Sequence, residues 1–276
     1  DLLAESGGGG TDRGRGSLRG RKVVISTNIA EASVTIPDVV HVVDCGLVKS
    51  KWFDWSTGTE ALLVTPVSQA SARQRAGRAG RCSAGVCYRL YTEASYTDTL
   101  RAHTVPEIQR CRVEGLVILL KALGVDNIMT FDFLSPPPAE LMQRALEMLY
   151  ALGALDDACK LTVPLGSRIA EFPVDPSLAK CLLASPDYDC VTSMLSVAAM
   201  LSVQGCFHLT KAQMKQGELN DPRLRYAVEE GDHLTSLNLF TAYTAVDSAK
   251  VGKWCQKRGV NAKALQRAKY VRDQLR

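Results

Sequence analysis

The sequence predicts an α/β layer followed by a mainly helical region, and three observations support this fold class. Short β-branched runs alternate with a helix candidate up to about residue 95. Beyond that point, apolar residues recur at the three- and four-residue spacing of helices. Short helices and a candidate strand pair in residues 96–174 indicate a winged helix, and residues 175–276 are typical of a helical bundle.

The composition is that of an ordinary globular protein and sets few limits on function. Apolar residues make up 46% of the 276 residues and charged residues 22%, and the net charge is +4, so nucleic-acid binding is permitted but not required. The nine cysteines show no Cys-x-x-Cys spacing, which predicts reduced thiols in an intracellular compartment and no metal site. No run of 18 apolar residues occurs, so we expect no membrane partner. Because the chain begins with Asp1 rather than Met, we expect a fragment of a longer protein.

The α/β part is predicted over residues 22–95. Residues 1–21, which precede it, are rich in glycine and arginine without periodicity and predict a flexible insertion or tail. A helix candidate has Ser68 as its predicted N-cap and carries Arg75 to Arg81 toward its end. The predicted strands are 22–27, 39–44 and 85–91, together with a β-hairpin over 47–65 around the turn "DWSTGT".

The helical part contains several amphipathic segments and one that is apolar nearly all round. The latter, residues 190–203, predicts a central buried helix. Leu155 and the stretch "KLTVP" at 160–164 predict a strand pair, the wing of the winged helix. The other predicted helices lie within 111–124 and 135–155, and after the candidate N-caps Asp175, Asp232 and Asn261.

A polar stretch directly after the first predicted strand is a candidate binding site. It is "STNIAEASVTIPD", residues 26–38, here named the STN segment. Ser26, Thr27 and Asn28 stand where open α/β sheets bind ligands, and their side chains can hydrogen-bond phosphate or ribose. Loop capping is the commoner use of such residues. Glu31 could equally be a surface residue of a short helical turn.

The second candidate is "SQASARQRAGRAGR", residues 68–81, here named the arginine segment. If it is helical throughout, Arg75, Arg78 and Arg81 recur every three residues near one face. Small residues between them allow close approach of a neighbour, and guanidinium groups bind phosphate oxygens bidentately. Two glycines are unfavourable in a solvated helix, which favours a phosphate or nucleic-acid role over a solvated basic face. Both interpretations remain open on these residues alone.

Together the two segments resemble motifs V and VI of the DEAH-box RNA helicases. Their order, their spacing and the intervening hairpin agree with that family, and the resemblance covers about residues 20–276. "FPVDP" (172–176) and "AVEEGDHLTSLNLF" (227–240) are similar to later parts of it. The resemblance implies a partial second RecA-like lobe with a β-hairpin, then the winged-helix domain and a ratchet domain.

For the arginine segment, the resemblance implies a nucleotide site in the cleft between two RecA-like lobes. Gln74, Arg78 and Arg81 would face the nucleotide and would be the catalytic residues of this half. Arg78 and Arg81 would stabilise the charge on the transferred phosphoryl group, and Gln74 would help to place the attacking water. Arg75 would brace the local fold.

For the STN segment, the resemblance implies RNA contacts beside the nucleotide site. Thr27 and Asn28 would contact the RNA backbone. Ser26 would bind the nucleotide and, with Glu31, would couple the strand to the ATP site. Asp38 is the candidate for the ribose, although many family members carry that acid one position earlier.

The hairpin between the two segments would separate RNA strands or fix the register of the RNA. Trp52, Phe53 and Trp55 near its tip could stack on bases, or could simply pack against the protein.

Two motifs of the family are absent from the sequence. Neither Gly-x-x-x-x-Gly-Lys-[Ser/Thr] nor Asp-Glu-Ala-His occurs, so the phosphate loop and the magnesium ligands would belong to an upstream lobe. The resemblance implies ATP and Mg²⁺ as the nucleotide and its metal ion. We expect this chain alone to be inactive.

The function implied is that of the C-terminal part of an ATP-dependent RNA helicase that translocates on RNA and unwinds it or remodels RNA–protein complexes. The partners implied are RNA, the upstream lobe, a downstream oligonucleotide-binding domain, and an activator of the G-patch type or proteins of splicing or ribosome assembly. The expected location is nuclear, with a cytoplasmic one as the alternative. The alternative function is a non-catalytic RNA- or protein-binding scaffold derived from a helicase.

Overall fold

A computed structural model describes residues 22–81, 83–203, 205–207 and 222–276. The flexible tail predicted over residues 1–21 lies outside this part of the chain. Two compact units are present. The first consists of Asp1–Ser50 and Leu63–Thr104, and the second of Lys51–Leu62 and Val105–Arg276.

The first unit contains short strands and helices. Strand β1 pairs in parallel with β4, with His41 opposite Val86 and Asp44 opposite Arg89. Strands β2 and β3 form the predicted hairpin, whose distal half, residues 51–62, belongs to the second unit. The elements are α1 (Ile29–Ala32), β1 (His41–Asp44), β2 (Leu47–Asp54), β3 (Thr59–Pro66), α2 (Gln69–Ala76), β4 (Val86–Arg89) and a π-helical turn (Ser95–Thr99).

The strand predicted over residues 22–27 is wrong. These residues have no regular secondary structure, and Val23 and Ile25 are 77% and 91% exposed. A β-strand is stable only when a neighbouring strand pairs with its backbone groups. Within the described residues β1 and β4 pair only with each other, so the β-branched run lacks the neighbour that its composition requires.

Helix α2 begins as predicted but ends before the last two arginines. The Ser68 hydroxyl accepts a hydrogen bond from the Ser71 amide at 3.0 Å, so Ser68 is the N-cap. The helix stops at Ala76, where the Gly77 amide donates to the Arg73 carbonyl. The arrangement of Arg75, Arg78 and Arg81 on one helical face is therefore wrong, because the helix ends at Gly77 and glycine is a poor helix former.

The second unit begins with helices that surround one apolar core. Val117, Leu149 and Ile169 are each at most 2% exposed in this core, and Leu155 forms an antiparallel bridge with Leu161, as the wing prediction requires. The elements are α3 (Glu114–Ala122), α4 (Ala139–Ala151) and α5 (Leu165–Glu171), with short 3₁₀ turns at Glu107–Gln109 and Ile128–Thr130.

The remaining helices form the bundle that the sequence predicts. Helix α7 packs against α6, α8 and α10 and buries its middle, which confirms it as the central helix. Asp175 and Asn261 cap α6 and α10, whereas Asp232 is the first residue of α8 rather than its cap. The helices are α6 (Pro176–Ala184), α7 (Val191–Leu201), α8 (Asp232–Thr244), α9 (Val251–Arg258) and α10 (Ala262–Leu275), with 3₁₀ turns at Ser185–Tyr188 and Ser248–Lys250.

In the part of the chain that the structure describes, no helix combines the length and the apolar character needed to cross a bilayer.

Candidate functional site

Arg75 joins three segments of the first unit. Its Nε donates to Glu31 Oε1 at 2.7 Å, and its Nη2 lies 2.6 Å from the same oxygen. Its Nη1 donates to Asp44 Oδ1 at 2.8 Å and to the Leu47 carbonyl at 3.1 Å. The Arg75 side chain is 14% exposed and that of Asp44 is fully buried. These contacts agree with the prediction that Arg75 braces the local fold.

Asp44 is the acceptor at the centre of this network. The Gly46 amide donates to its Oδ1 at 3.0 Å and the Tyr91 hydroxyl to its Oδ2 at 2.9 Å. Burial alone raises the pKa of Asp44, but the hydrogen bonds from Gly46, Arg75 and Tyr91 outweigh burial and lower it below the usual value. Burial and the bond to Asp44 raise the pKa of Tyr91 to about 12. At neutral pH, Asp44 is therefore charged and Tyr91 keeps its proton.

Gly46 is required where the chain leaves β1. Its φ is +72°, in the left-handed region that favours glycine. A Cβ at this position would lie 2.6 Å from the Tyr91 ring. The missing side chain therefore lets the ring lie against the turn while its hydroxyl reaches Asp44.

Arg81 also connects the arginine segment to the STN segment. Its Nη1 donates to the Thr35 hydroxyl, and the side chain is otherwise exposed. The pair Arg75–Glu31 makes the same connection in the middle of the arginine segment. The two segments that the sequence singles out are thus tied together twice.

Arg78, between these two arginines, differs from both. Its Nε and one terminal nitrogen, Nη1, are buried, and neither has a hydrogen-bond partner among the described residues. A buried polar group without a partner costs about 1–3 kcal/mol, and more if it is charged. Two N–H donors held in this way fit an anion with oxygen acceptors, such as a phosphate group.

The other predicted site residues lie on the surface of the same unit. Gln74 is exposed and its side chain makes no hydrogen bond with the described residues. Ser26, Thr27 and Asn28 are exposed just before α1, and the Ser26 hydroxyl donates to the Thr27 carbonyl at 3.1 Å. Asp38 is exposed with φ +62°, a conformation that few non-glycine residues adopt. The roles of these residues in binding RNA or nucleotide stay predictions.

The aromatic residues of the hairpin divide between packing and exposure. Phe53 packs against the apolar core of the second unit, so the packing alternative holds for it. Trp52 is half-buried, and its Nε1 is buried without a partner within the described residues. Trp55 is 46% exposed and remains available for stacking on a base.

Asp44 and Tyr91 are not among the site residues predicted from the sequence. Asp44 is the last residue of the predicted strand 39–44, and Tyr91 is the last residue of the predicted strand 85–91. A signal was present, because the carboxyl ends of two parallel strands lie at one edge of a sheet. In the described parts of the chain, no cluster of histidine, cysteine, aspartate and glutamate could hold a metal ion.

Family profiles match three parts of the chain. Residues 15–83 match the helicase conserved C-terminal domain. Residues 145–174 match the winged-helix part of the helicase associated domain, and residues 175–236 match its ratchet-like part. The matched regions include both segments of the site and follow the order that the resemblance implies.

Several curated relatives match over nearly all of the chain. "Probable ATP-dependent RNA helicase DHX35" of Homo sapiens is 51% identical over 93% of this chain and 36% of its own length. Its Caenorhabditis elegans homolog is 48% identical over 92% of the chain and 34% of the homolog. "Pre-mRNA-splicing factor ATP-dependent RNA helicase prp22" of Schizosaccharomyces pombe is 46% identical over 93% of this chain and 22% of its own length. The chain therefore spans about a third or less of these relatives.

Proposed function

The chain belongs to the DEAH-box family of RNA helicases, whose C-terminal portion it matches, and we propose that it supplies the arginine half of an ATP-hydrolysing site. The observation that carries this proposal is the pair of buried guanidinium nitrogens of Arg78, Nε and Nη1, that have no hydrogen-bond partner among the described residues. The neighbouring Arg75 and Arg81 have protein partners. Among the described residues, Arg78 is therefore the arginine of this group with buried donors that have no protein partner.

Binding of a nucleoside triphosphate would remove the free-energy cost of these buried, unpaired donors. An arginine holds phosphate oxygens through charge-assisted hydrogen bonds, which are about twice as strong as neutral ones. As water attacks the terminal phosphorus and the bond to the leaving oxygen breaks, charge spreads over the phosphoryl oxygens. A guanidinium already in place stabilises that charge without reorganisation.

Arg81 and Gln74 complete this half of the site. The exposed Arg81 holds one hydroxyl, that of Thr35, and its other donors can turn to phosphate. Gln74 carries an amide with both donor and acceptor and is free to orient the attacking water. Asp38 and Ser26 are the candidates for further contact with the nucleotide.

The network around Arg75 would connect RNA to this site. Thr27 and Asn28, the proposed RNA contacts, directly precede α1, which carries Glu31. Glu31 pairs with Arg75 on α2, and α2 leads into Arg78. A shift of the STN segment on binding RNA would therefore be transmitted to the arginine segment through one ion pair.

The whole protein would use ATP hydrolysis to move along RNA and to unwind it or remodel RNA–protein complexes. Mg²⁺, when bound with ATP, neutralises phosphate charge. The described residues contain no cluster of His, Cys, Asp and Glu that could hold a metal ion. As the resemblance implies, its ligands would come from the upstream lobe, together with the phosphate loop. The splicing role in the name of the S. pombe relative supports a nuclear location and a spliceosomal complex as substrate. A tagged longer protein that stays in the cytoplasm and crosslinks to no spliceosomal RNA would contradict this part.

The test is Arg78→Ala in the longer protein that carries this chain together with the upstream lobe. The RNA-stimulated rate of ATP hydrolysis should fall about 10³-fold or more, because an arginine finger contributes that much. Arg73→Ala is the matched control. Arg73 lies on α2, five residues before Arg78 in the same arginine segment, and its Nη1 donates to the Tyr96 hydroxyl at 3.3 Å, so its removal should change the rate less than about tenfold.

Hydrolysis by Arg78→Ala within about twofold of the unmodified protein would overturn the proposal. The 276-residue chain alone should show no ATP turnover and only weak RNA binding that salt abolishes. A longer protein that hydrolyses no ATP, either unmodified or with Arg78→Ala, would favour the scaffold alternative.

A further inference from the structure

The distal half of the β-hairpin is fixed to the helical unit by its backbone. The Phe53 amide donates to the Arg110 carbonyl at 2.8 Å. The Arg110 side chain returns one hydrogen bond, from Nη1 to the Lys51 carbonyl at 2.7 Å, and its Nε donates to the Val105 carbonyl of its own segment at 3.2 Å. The hairpin strand thus has partners in the segment that leads into α3.

Arg112 holds the same strand through a side chain and connects it to two helices. Its guanidinium lies over the Phe53 ring, 5.3 Å from the ring centre. Its Nε lies 3.2 Å from Glu114 Oε1, and its Nη1 lies 3.8 Å from Asp175 Oδ2. Glu114 is the first residue of α3 and Asp175 is the N-cap of α6. One side chain therefore contacts the hairpin and the first turns of both helices.

Further contacts within the distal half of the hairpin join its two strands and fix its turn. Lys51 on one strand pairs with Glu60 on the other at 2.7 Å. At the turn, Asp54 accepts hydrogen bonds from the amide and the hydroxyl of Ser56, at 2.9 and 2.6 Å. The exposed Trp55 stands beside this turn. A displacement of the anchored residues Lys51 and Phe53 would therefore move the tip.

We propose that Arg112, with Arg110, is a positioning residue that couples the hairpin to α3 and α6, so that movement of these helices drives the hairpin tip against RNA. The inference rests on the proposed function, since it concerns the use of ATP energy for unwinding. The contacts of Arg112 among the described residues are with Phe53, Glu114 and Asp175, none of which is assigned to the proposed nucleotide site. Its removal should therefore separate unwinding from hydrolysis.

The experiment compares two readouts on Arg112→Ala in the longer protein with RNA present. ATP hydrolysis should stay within about twofold of the unmodified protein, whereas duplex unwound per ATP hydrolysed should fall about tenfold. Arg144→Ala is the matched control. Arg144 lies on α4, is 57% exposed and pairs with Glu147 one turn away, so both readouts should stay unchanged.

A second pair of variants tests the route through Phe53. Phe53→Leu keeps an apolar side chain in the core but removes the ring face under Arg112, and it should lower the same ratio. The double variant should fall no further than Arg112→Ala alone, because both changes break one contact. Arg112→Lys keeps a positive charge for Glu114 and Asp175, and it replaces Arg112→Ala in this measurement if the alanine variant does not fold. It too should lower the ratio.

Hydrogen exchange in the 276-residue chain gives a readout that needs no activity. Arg112→Ala should speed exchange over residues 51–62, and Arg144→Ala should not. An unchanged unwinding ratio in Arg112→Ala and Arg112→Lys would overturn the inference. Equal losses of hydrolysis and unwinding would also overturn it. An unchanged rate of ATP hydrolysis in Arg78→Ala, by contrast, would contradict the proposed function alone.

Discussion

The two units of this molecule are stabilised by different interactions. In the second unit, large apolar side chains such as Leu149, Leu239 and Leu265 are completely buried. In the first unit, the apolar cluster is small and centres on Val67 and Ala72, with Leu100 at its edge. The most buried large side chain there is the carboxylate Asp44. The unit that carries the proposed nucleotide site is thus organised around a charge rather than around apolar packing.

This difference has a consequence for the site. Val43, Val86 and Tyr88 on the two paired strands are 67%, 48% and 52% exposed, so the sheet contributes little apolar burial within the first unit. Ion pairs then fix the position of α2, and through it Arg78. Electrostatic substitutions should therefore act mainly on the first unit and cavity-forming substitutions mainly on the second.

The largest expected effect comes from Leu149→Ala in the second unit. Leu149 is 0% exposed, and removing a buried leucine side chain costs about 4 kcal/mol through lost burial and the cavity left behind. Hydrogen exchange, which resolves the two units separately, should show this loss over α4 and its neighbours and no change over α2. Leu123→Ala is the control, because Leu123 is 73% exposed. Equal destabilisation of α2 by Leu149→Ala would show that the two units do not differ as described.

Asp44→Asn should destabilise the first unit by about 3 kcal/mol. Removing one partner of a buried ion pair typically costs about 3–5 kcal/mol, and Arg75 still keeps Glu31 as a partner. The substitution keeps the shape of the side chain and removes its charge. Exchange over β1 and α2 should speed up, with no change over α4. The exposed Asp132 provides the matched control, Asp132→Asn.

The pH dependence of this effect distinguishes charge from packing. The folded-state pKa of Asp44 lies below the unfolded value, near 3.8. Its contribution to stability is therefore complete above the unfolded pKa and is lost as the pH falls through the folded value. The difference between the unmodified chain and Asp44→Asn should be constant from about pH 5 to 8 and should shrink below about pH 4. A difference that does not change with pH would assign the effect to packing.

Local sequence patterns were sufficient to predict the helix caps but not the contacts between distant residues. The caps Ser68, Asp175 and Asn261 depend on neighbouring residues and were predictable. The partners of Arg75 were not, because Asp44 approaches it only when two strands pair. The burial of the Arg78 donors depends on where α2 ends, and the expectation of a longer helix was wrong at Gly77.

Tyr91→Phe should have the smallest effect of these substitutions, about 1 kcal/mol in the first unit. It removes one hydrogen bond to Asp44, while those from Gly46 and Arg75 remain. The pKa of Tyr91 is raised from 10.0 to about 12, so its contribution is complete below pH 10 and lost as the pH rises through the folded value. Exchange over β1 and α2, measured at neutral pH, should speed up by less than in Asp44→Asn. The control is Tyr188→Phe, at a tyrosine that is 77% exposed in the second unit. An effect of Tyr91→Phe as large as that of Asp44→Asn would mean that the Tyr91 hydroxyl, rather than the Arg75 ion pair, holds Asp44 in place.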